Sequence, residues 1–336
     1  MHIVILGSGI AGITLAETLK KLQPGWPVSV ITQESHGYYS RPMLSHGFSR
    51  DDVESRIILK SFDALRDSGI NVEAHTKVVA VHPESRTLTL QTGAATDTRA
   101  YDRLILAVGS EALIPPLLRH AADRVRVVNS LDDLIRLRRT RQRIQEQGRT
   151  PRWAMMGGGL IGFEVAADLA RAGDSVVLFH AGSRLMERQL SEADSLKLHA
   201  TLEGQGITVH RSVNVEGISA VDDRFALHLA TGIETGFDQV IVACGFSPRT
   251  ELAAQAGLST GRGIQVDDYL TTSHPDIYAI GDAAECPDGS LYAYVLPVRH
   301  QAVWLANYLA GITTAPWVAP AFKPRAKVHG FEASST

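Results

Sequence analysis

Two hexads carry the clearest chemistry in this sequence: Gly7-Ser8-Gly9-Ile10-Ala11-Gly12 near the start and Gly157-Gly158-Gly159-Leu160-Ile161-Gly162 in the middle. The first glycine of such a turn bends the chain tightly. The second lets a pyrophosphate approach the backbone, and the third lets a helix touch a strand. The N–H groups and dipole at the helix N-terminus then favour the negative charge of the phosphates. Gln33 and Glu34 follow the next apolar run, where a carboxylate grips an adenosine ribose. The corresponding place after the second hexad holds His180, with Arg184 close behind. The carboxylate that would select a free 2′-hydroxyl is missing there. Arg184 could face a 2′-phosphate, or both residues are solvated loop residues, so NADH and NADPH both stand as co-substrates.

Such turns need strands and helices to hold them. The run 2–6 reads as a short buried strand. Apolar residues at helical spacing follow over 13–22 (Ile13, Leu15, Ala16, Leu19, Leu22), Pro24-Gly25 ends them, and 28–32 is a second strand. The order repeats at 153–156, 163–172 and 175–179, with Gly173 as the helix stop. One bare hexad is weak evidence. Two complete strand–turn–helix–strand units in one chain point to two dinucleotides, between which electrons can pass.

The bulk numbers fit this reading. A chain of 336 residues exceeds one typical core and implies two or three domains. A net charge of −3, with 44% hydrophobic and 21% charged residues, gives no global excess that would attract nucleic acid or a membrane surface. No apolar run is long enough to cross a bilayer. The chain passes from Met1 straight into a strand without a basic leader, so no signal peptide is expected. Cys244 and Cys286 lie far apart, without metal or redox spacing. Zinc, iron–sulfur and CxxC chemistry are therefore not expected, and two lone thiols fit a reducing cytoplasm.

Further motifs identify a family. The stretch 271–282 ends in a strand that delivers Gly281 and Asp282 to its edge. The stretches 104–109 and 240–245 each close a strand on a small residue and a glycine: Ala107 to Gly109, and Ala243 to Gly245. With Tyr39-Ser40-Arg41-Pro42-Met43-Leu44-Ser45, the pattern resembles the pyridine nucleotide-disulfide oxidoreductase superfamily. Within it, the chain looks like the rubredoxin reductase branch, which includes the NADH:flavorubredoxin reductases of nitric oxide detoxification. The resemblance covers roughly 1–312.

That resemblance implies an α/β fold with two Rossmann-like three-layer dinucleotide-binding domains, for FAD and NAD, in a glutathione-reductase-like arrangement. The FAD domain is expected from 1–112 and 237–312, with the NAD(P) domain inserted at 113–236. The tail 313–336 is expected to be a remnant of an interface domain that is largely absent, too short to bury a core. By carry-over, Arg41 and Pro42 lie along the isoalloxazine, and Val78 contacts adenine through its backbone. Gly281 admits the flavin chain and Asp282 accepts a ribityl hydroxyl. Glu164 sits near the flavin N5 and the nicotinamide. Val295 and Pro297 open a helix over 298–309, whose positive end faces the N1/O2 edge of the flavin. Oxygenase-type relatives place Lys where this chain has His46, paired with the glutamate at Glu164, so a Lys–Glu pair is not expected here. His46 either changes the surroundings of reduced flavin or is an ordinary loop histidine.

Disulfide-reducing members of the family keep a cysteine pair after the first ribose strand, and peroxide-reducing members keep one cysteine. Residues 35–60 contain none, so a dithiol relay and a sulfenate cycle are excluded by residue type. The implied activity is an FAD-dependent NAD(P)H reductase. It would feed a small iron electron-transfer protein, rubredoxin-like or a ferredoxin, with no metal of its own and no side-chain nucleophile. The protein is expected to act as a monomer or weak dimer. The rival readings are an NAD(P)H oxidase or diaphorase, and a non-catalytic flavin-binding sensor. Ten arginines between Arg119 and Arg152 either belong to a linker helix or form a docking surface for an acidic partner.

Overall fold

The computed structural model describes residues 1–322 and 331. The chain divides into two compact units. One takes Met1–Ser40, Ile58–Glu111 and the described residues from Ser247 to Phe322. The other takes Arg41–Ile57, Ala112–Phe246 and Phe331.

The first unit is built on a parallel sheet in the order Ile277–Ala279, Arg103–Leu106, Ile3–Leu6, Val28–Ile31, Asn71–Glu73. Its central strand, Ile3–Leu6, is an unbroken apolar run because helices cover the sheet on its faces. All four residues of Ile3–Leu6 are buried, each worth about 1.5–3 kcal/mol of apolar burial. Helix Ile10–Leu22 packs against helix Val295–Leu309. An antiparallel sheet of Lys77–His82, Thr87–Thr92 and Ala95–Ala100 completes the unit. In its central strand Leu88 and Leu90 are buried while Gln91 and Thr92 are exposed.

The second unit repeats the plan. Its parallel sheet runs Val125–Arg126, Gln239–Val242, Arg152–Met156, Ser175–His180, Thr208–Arg211. An antiparallel sheet of Val215–Val221, Arg224–Leu229 and Gly232–Phe237 follows. Only the outer strand differs in origin. The first unit takes it from late in the chain and the second from early, because the second unit's main segment interrupts the first.

Both glycine-turn helices begin inside their hexads, at Ile10 and Leu160, one turn before the apolar spacing becomes regular. The last helix starts at Val295, with Pro297 in its first turn, where a missing N–H breaks no helical bond. Gln239–Val242 is a strand of the second unit, so the chain returns to the first at Ser247 instead of 237. Arg41–Ile57 groups with the second unit. The tail also does more than expected. Trp317, 8% exposed, joins the first unit's core, donates its backbone N–H to the Asp268 carbonyl and its indole N–H to His300 Nδ1 at 3.0 Å. Among the described residues no helix is long and apolar enough to cross a membrane.

Candidate dinucleotide sites

The two glycine turns have the same geometry. Gly7 and Gly157 have φ of +112° and +105°, and a Cβ on either would strike a carbonyl oxygen, of Ala107 or Ala243 respectively. A Cβ on Gly12 or Gly162 would strike the carbonyl of the first glycine in its own turn. A Cβ on Gly9 or Gly159 would meet nothing within 4 Å, which is the space a ligand needs.

The ends of the helices support this. Ser61, Ser130 and Ser191 cap Phe62–Asp67, Leu131–Glu146 and Glu192–Gly204, and each of those helices carries acid in its first turn. Ile10–Leu22, Leu160–Arg171 and Val295–Leu309 have no side-chain cap and no acid in the first turn. Their N-terminal N–H groups and positive ends suit anionic ligands. Ser8, Ile10 and Ala11 lie in the first such turn, and Leu160 and Ile161 in the second. The residues present fit two pyrophosphates and one flavin edge.

Beyond the second strand the units diverge. In the first, Ser8 Oγ and Thr32 Oγ1 share a hydrogen bond at 2.9 Å, and Thr32 Oγ1 accepts the Glu34 N–H at 3.1 Å. The Tyr39 phenol donates to both Glu34 carboxylate oxygens at 3.1 Å, while Gln33 points to water. In the second, His180 Nδ1 accepts the Gly158 N–H at 3.1 Å, so the ring proton lies on Nε2 and is donated to the Arg184 carbonyl at 2.8 Å. A Cβ on Gly158 would press on the His180 ring and Leu185, which explains a glycine at a position the turn itself leaves free. Arg211 donates to the Ser183 carbonyl in the same loop.

The closing motif lies in the first unit. Gly281 has φ +75°, and its N–H donates to Oε1 of Gln301, which is fully buried, at 2.8 Å. Ser110 Oγ donates to the Asp282 carboxylate at 2.9 Å. Val78 lies half-buried on Lys77–His82, Ala107 is buried, and Val295 is exposed at the start of its helix. The Gly109 carbonyl accepts the Arg249 N–H at 3.0 Å, and in the second unit the Gly245 carbonyl accepts that of Leu113 at 3.0 Å.

The segment 41–49 is clamped within the second unit. Helix Leu160–Arg171 turns Glu164 and Asp168 to one face, four residues apart. Ser45 Oγ donates to Glu164 Oε2 at 2.7 Å, and His46 Nε2 stands 3.9 Å from the same oxygen. Glu164 thus accepts a serine hydrogen bond with a histidine beside it. Asp168 accepts the N–H groups of Phe48 and Ser49 at 2.7 and 3.1 Å, and the Ser49 hydroxyl. Arg41 donates to the Asn129 carbonyl and Pro42 is exposed. Sequence reasoning missed Asp168, whose signal was an acid four residues after Glu164 on a helix otherwise buried there. It also missed Gln301 and Ser110, whose roles depend on partners far away in the chain.

Part of the arginine-rich stretch makes contacts within the second unit itself. Arg138 reaches Glu54 and the carbonyls of Gly47, Arg50 and Asp51. Arg141 pairs with Asp174, and Arg149 with Asp238. Three of the ten arginines, Arg138, Arg141 and Arg149, are thus engaged within the second unit. Both cysteines are free thiols whose pKa burial pushes up, Cys244 to about 11 and Cys286 to about 12, so neither is a thiolate near neutrality. Among the described residues no His/Cys/Asp/Glu group could hold a metal.

A doubled α/β fold with two open glycine turns defines an oxidoreductase that uses two dinucleotides. The pyridine nucleotide-disulphide oxidoreductase family matches residues 1–305, and the chain belongs to that family, which pairs FAD with NAD(P)H. It is 33% identical over 312 residues to a nitric oxide reductase FlRd-NAD(+) reductase of Vibrio vulnificus, covering 92% of this chain and 78% of the relative. It is 35% identical over 318 residues to a rubredoxin-NAD(+) reductase of Acinetobacter baylyi, covering 94% and 80%. A ferredoxin reductase of Rhodopseudomonas palustris superposes with a TM-score of 0.83 at 30% identity, covering 95% of this chain and 78% of that one.

Proposed function

We propose that the chain is an FAD-dependent reductase that takes electrons from NADH or NADPH and passes them to a small iron electron carrier, rubredoxin-like or a ferredoxin. The carrying observation is the pair of uncapped glycine-turn helices in a chain with no cysteine between 35 and 60. Two dinucleotides imply electron traffic, and the missing thiols leave no internal acceptor. The names of the three similar proteins given above agree: a FlRd-NAD(+) reductase, a rubredoxin-NAD(+) reductase and a ferredoxin reductase.

On this reading the first unit holds FAD. Gly7 to Gly12 take the pyrophosphate, Glu34 the adenosine ribose, and Asp282 the ribityl chain. The start of Val295–Leu309 would hold the flavin edge. The second unit holds the nicotinamide dinucleotide on Gly157 to Gly162. When bound, the cofactors supply the chemistry, a hydride passing from nicotinamide to flavin and single electrons leaving for the carrier. The chain's own residues bind and orient. Ser45 holds Glu164, Asp168 fixes the backbone of Phe48 and Ser49, and the segment from Arg41 to Ser45 is thereby presented in one conformation. Free thiols throughout suit a cytoplasmic protein, working as a monomer or weak dimer.

An anaerobic titration tests the reading. Protein from riboflavin-replete cells should carry bound flavin, bleach with NADH or NADPH, and recover colour on adding rubredoxin or ferredoxin. A colourless protein, or one reoxidised faster by oxygen than by either carrier, would sink it.

A further inference from the structure

We infer that Tyr39 is a positioning residue for FAD, acting through Glu34. The inference rests on the first unit being the FAD unit. A glutamate beyond a strand has several rotamers, and fixing one on binding costs about 1 kcal/mol or more of entropy. Here the carboxylate is already fixed. Tyr39 is 5% exposed and sits in strand Tyr38–Tyr39, paired with Ile58–Lys60, so the backbone dictates where its hydroxyl lies. That hydroxyl is 3.1 Å from each carboxylate oxygen. A donor astride the fork sets both the rotamer and the plane of the group.

The Glu34 backbone is tied down as well. Its N–H goes to Thr32 Oγ1, which is bonded to Ser8 in the glycine turn. The ribose anchor and the pyrophosphate turn therefore belong to one hydrogen-bonded network, with Tyr39 at its outer end. Tyr39 touches no reacting atom. It prepays the ordering of the residue that grips the cofactor. The second unit has no counterpart, because His180 is held by the backbone groups of Gly158 and Arg184.

The test is a double-mutant cycle on flavin-stripped protein, reading the dissociation constants of FAD, FMN and NADH by fluorescence. Tyr39→Phe, which keeps the ring and removes one oxygen, should weaken FAD about tenfold, in the range of one lost charge-assisted bond. Glu34→Gln should weaken it at least as much, and adding Tyr39→Phe to Glu34→Gln should cost nothing further. FMN lacks the adenosine ribose and should bind Tyr39→Phe as it binds the parent, and NADH affinity should not move. The inference is overturned if Tyr39→Phe binds FAD like the parent, if the two losses multiply, or if FMN affinity falls in step with FAD. A parent protein that binds no FAD would instead overturn the assignment of the first unit. If Tyr39→Phe does not fold, the parent and Glu34→Gln still decide by their FAD-to-FMN ratio: an unchanged ratio overturns the inference.

Discussion

The two units share a sheet order, a glycine turn and an uncapped helix, yet they part company just after the second strand. In the first unit a carboxylate, Glu34, is pinned by Tyr39 and tied to the turn through Thr32 and Ser8. In the second, an imidazole fills the same place with both nitrogens committed to backbone groups. The first unit has a further anchor in the Gly281-Asp282 turn, braced by Gln301 and Ser110. The second unit's sheet is closed by Val125–Arg126 from earlier in the chain and has no such turn among its described residues. The scaffold supplies a phosphate site in each case. On the proposed reading, what surrounds it separates a resident cofactor, held at several points, from a co-substrate that must leave every turnover.

The sharpest way to break this comparison is at the third glycine. Gly12→Val and Gly162→Val each drive a side chain into the turn's own carbonyl. Gly12→Val should abolish flavin retention. Gly162→Val should keep the flavin and slow bleaching by NADH, with nicotinamide affinity down about tenfold to a hundredfold, the scale of a 1–3 kcal/mol overpacking penalty. Absorbance of the purified variants decides this. If both lose flavin, the units are not independent sites.

Stability separates the units next. Trp317→Ala should destabilise the first unit by about 3–5 kcal/mol through lost burial and an orphaned partner. Asp168→Ala leaves the Phe48 and Ser49 N–H groups unsatisfied and should cost about 2–3 kcal/mol in the second. Urea melts followed by limited proteolysis should assign each loss to its own unit.

A smaller effect tests the divergence itself. His180→Glu gives the second unit the first unit's ribose chemistry. The ratio of kcat/KM for NADH over NADPH should rise about tenfold, the size of one hydrogen bond against one repulsive charge pair. An unchanged ratio would show that the position is a bystander.

The effect hardest to reach is in alkali. Both thiols hold their protons in the folded state to about 11 and about 12, against 9.0 for an ordinary thiol. The unfolded chain gives up those protons first and then binds fewer than the native state. Stability should therefore be unaffected by these groups below pH 9, and fall as pH climbs from 9 towards 12. Cys286→Ala should make that fall shallower in pH-dependent melts.

Much of the site was legible before any fold was known, because its parts are short-range. A strand, a glycine hexad and a helix are contiguous, and the glycines' spacing follows from one tight turn, so 7–12 and 157–162 declare themselves. The missing cysteines after the first ribose strand likewise needed only residue identities. The helix starts at Ile10 and Leu160 were not visible from apolar spacing, because both fall inside the hexads, where glycines interrupt it.

Sequence alone determined the doubled nucleotide fold and the chemistry it excludes, because backbone turns and residue types are local properties. Only the tertiary structure decided that Tyr39 holds Glu34, that Asp168 grips the backbone of Phe48 and Ser49, that Gln301 braces Gly281, and that Trp317 belongs to a core. Those contacts join residues from five to more than a hundred positions apart. A hydrogen bond of about 3 Å records which side chains folding has brought together, and no spacing along the chain encodes that distance.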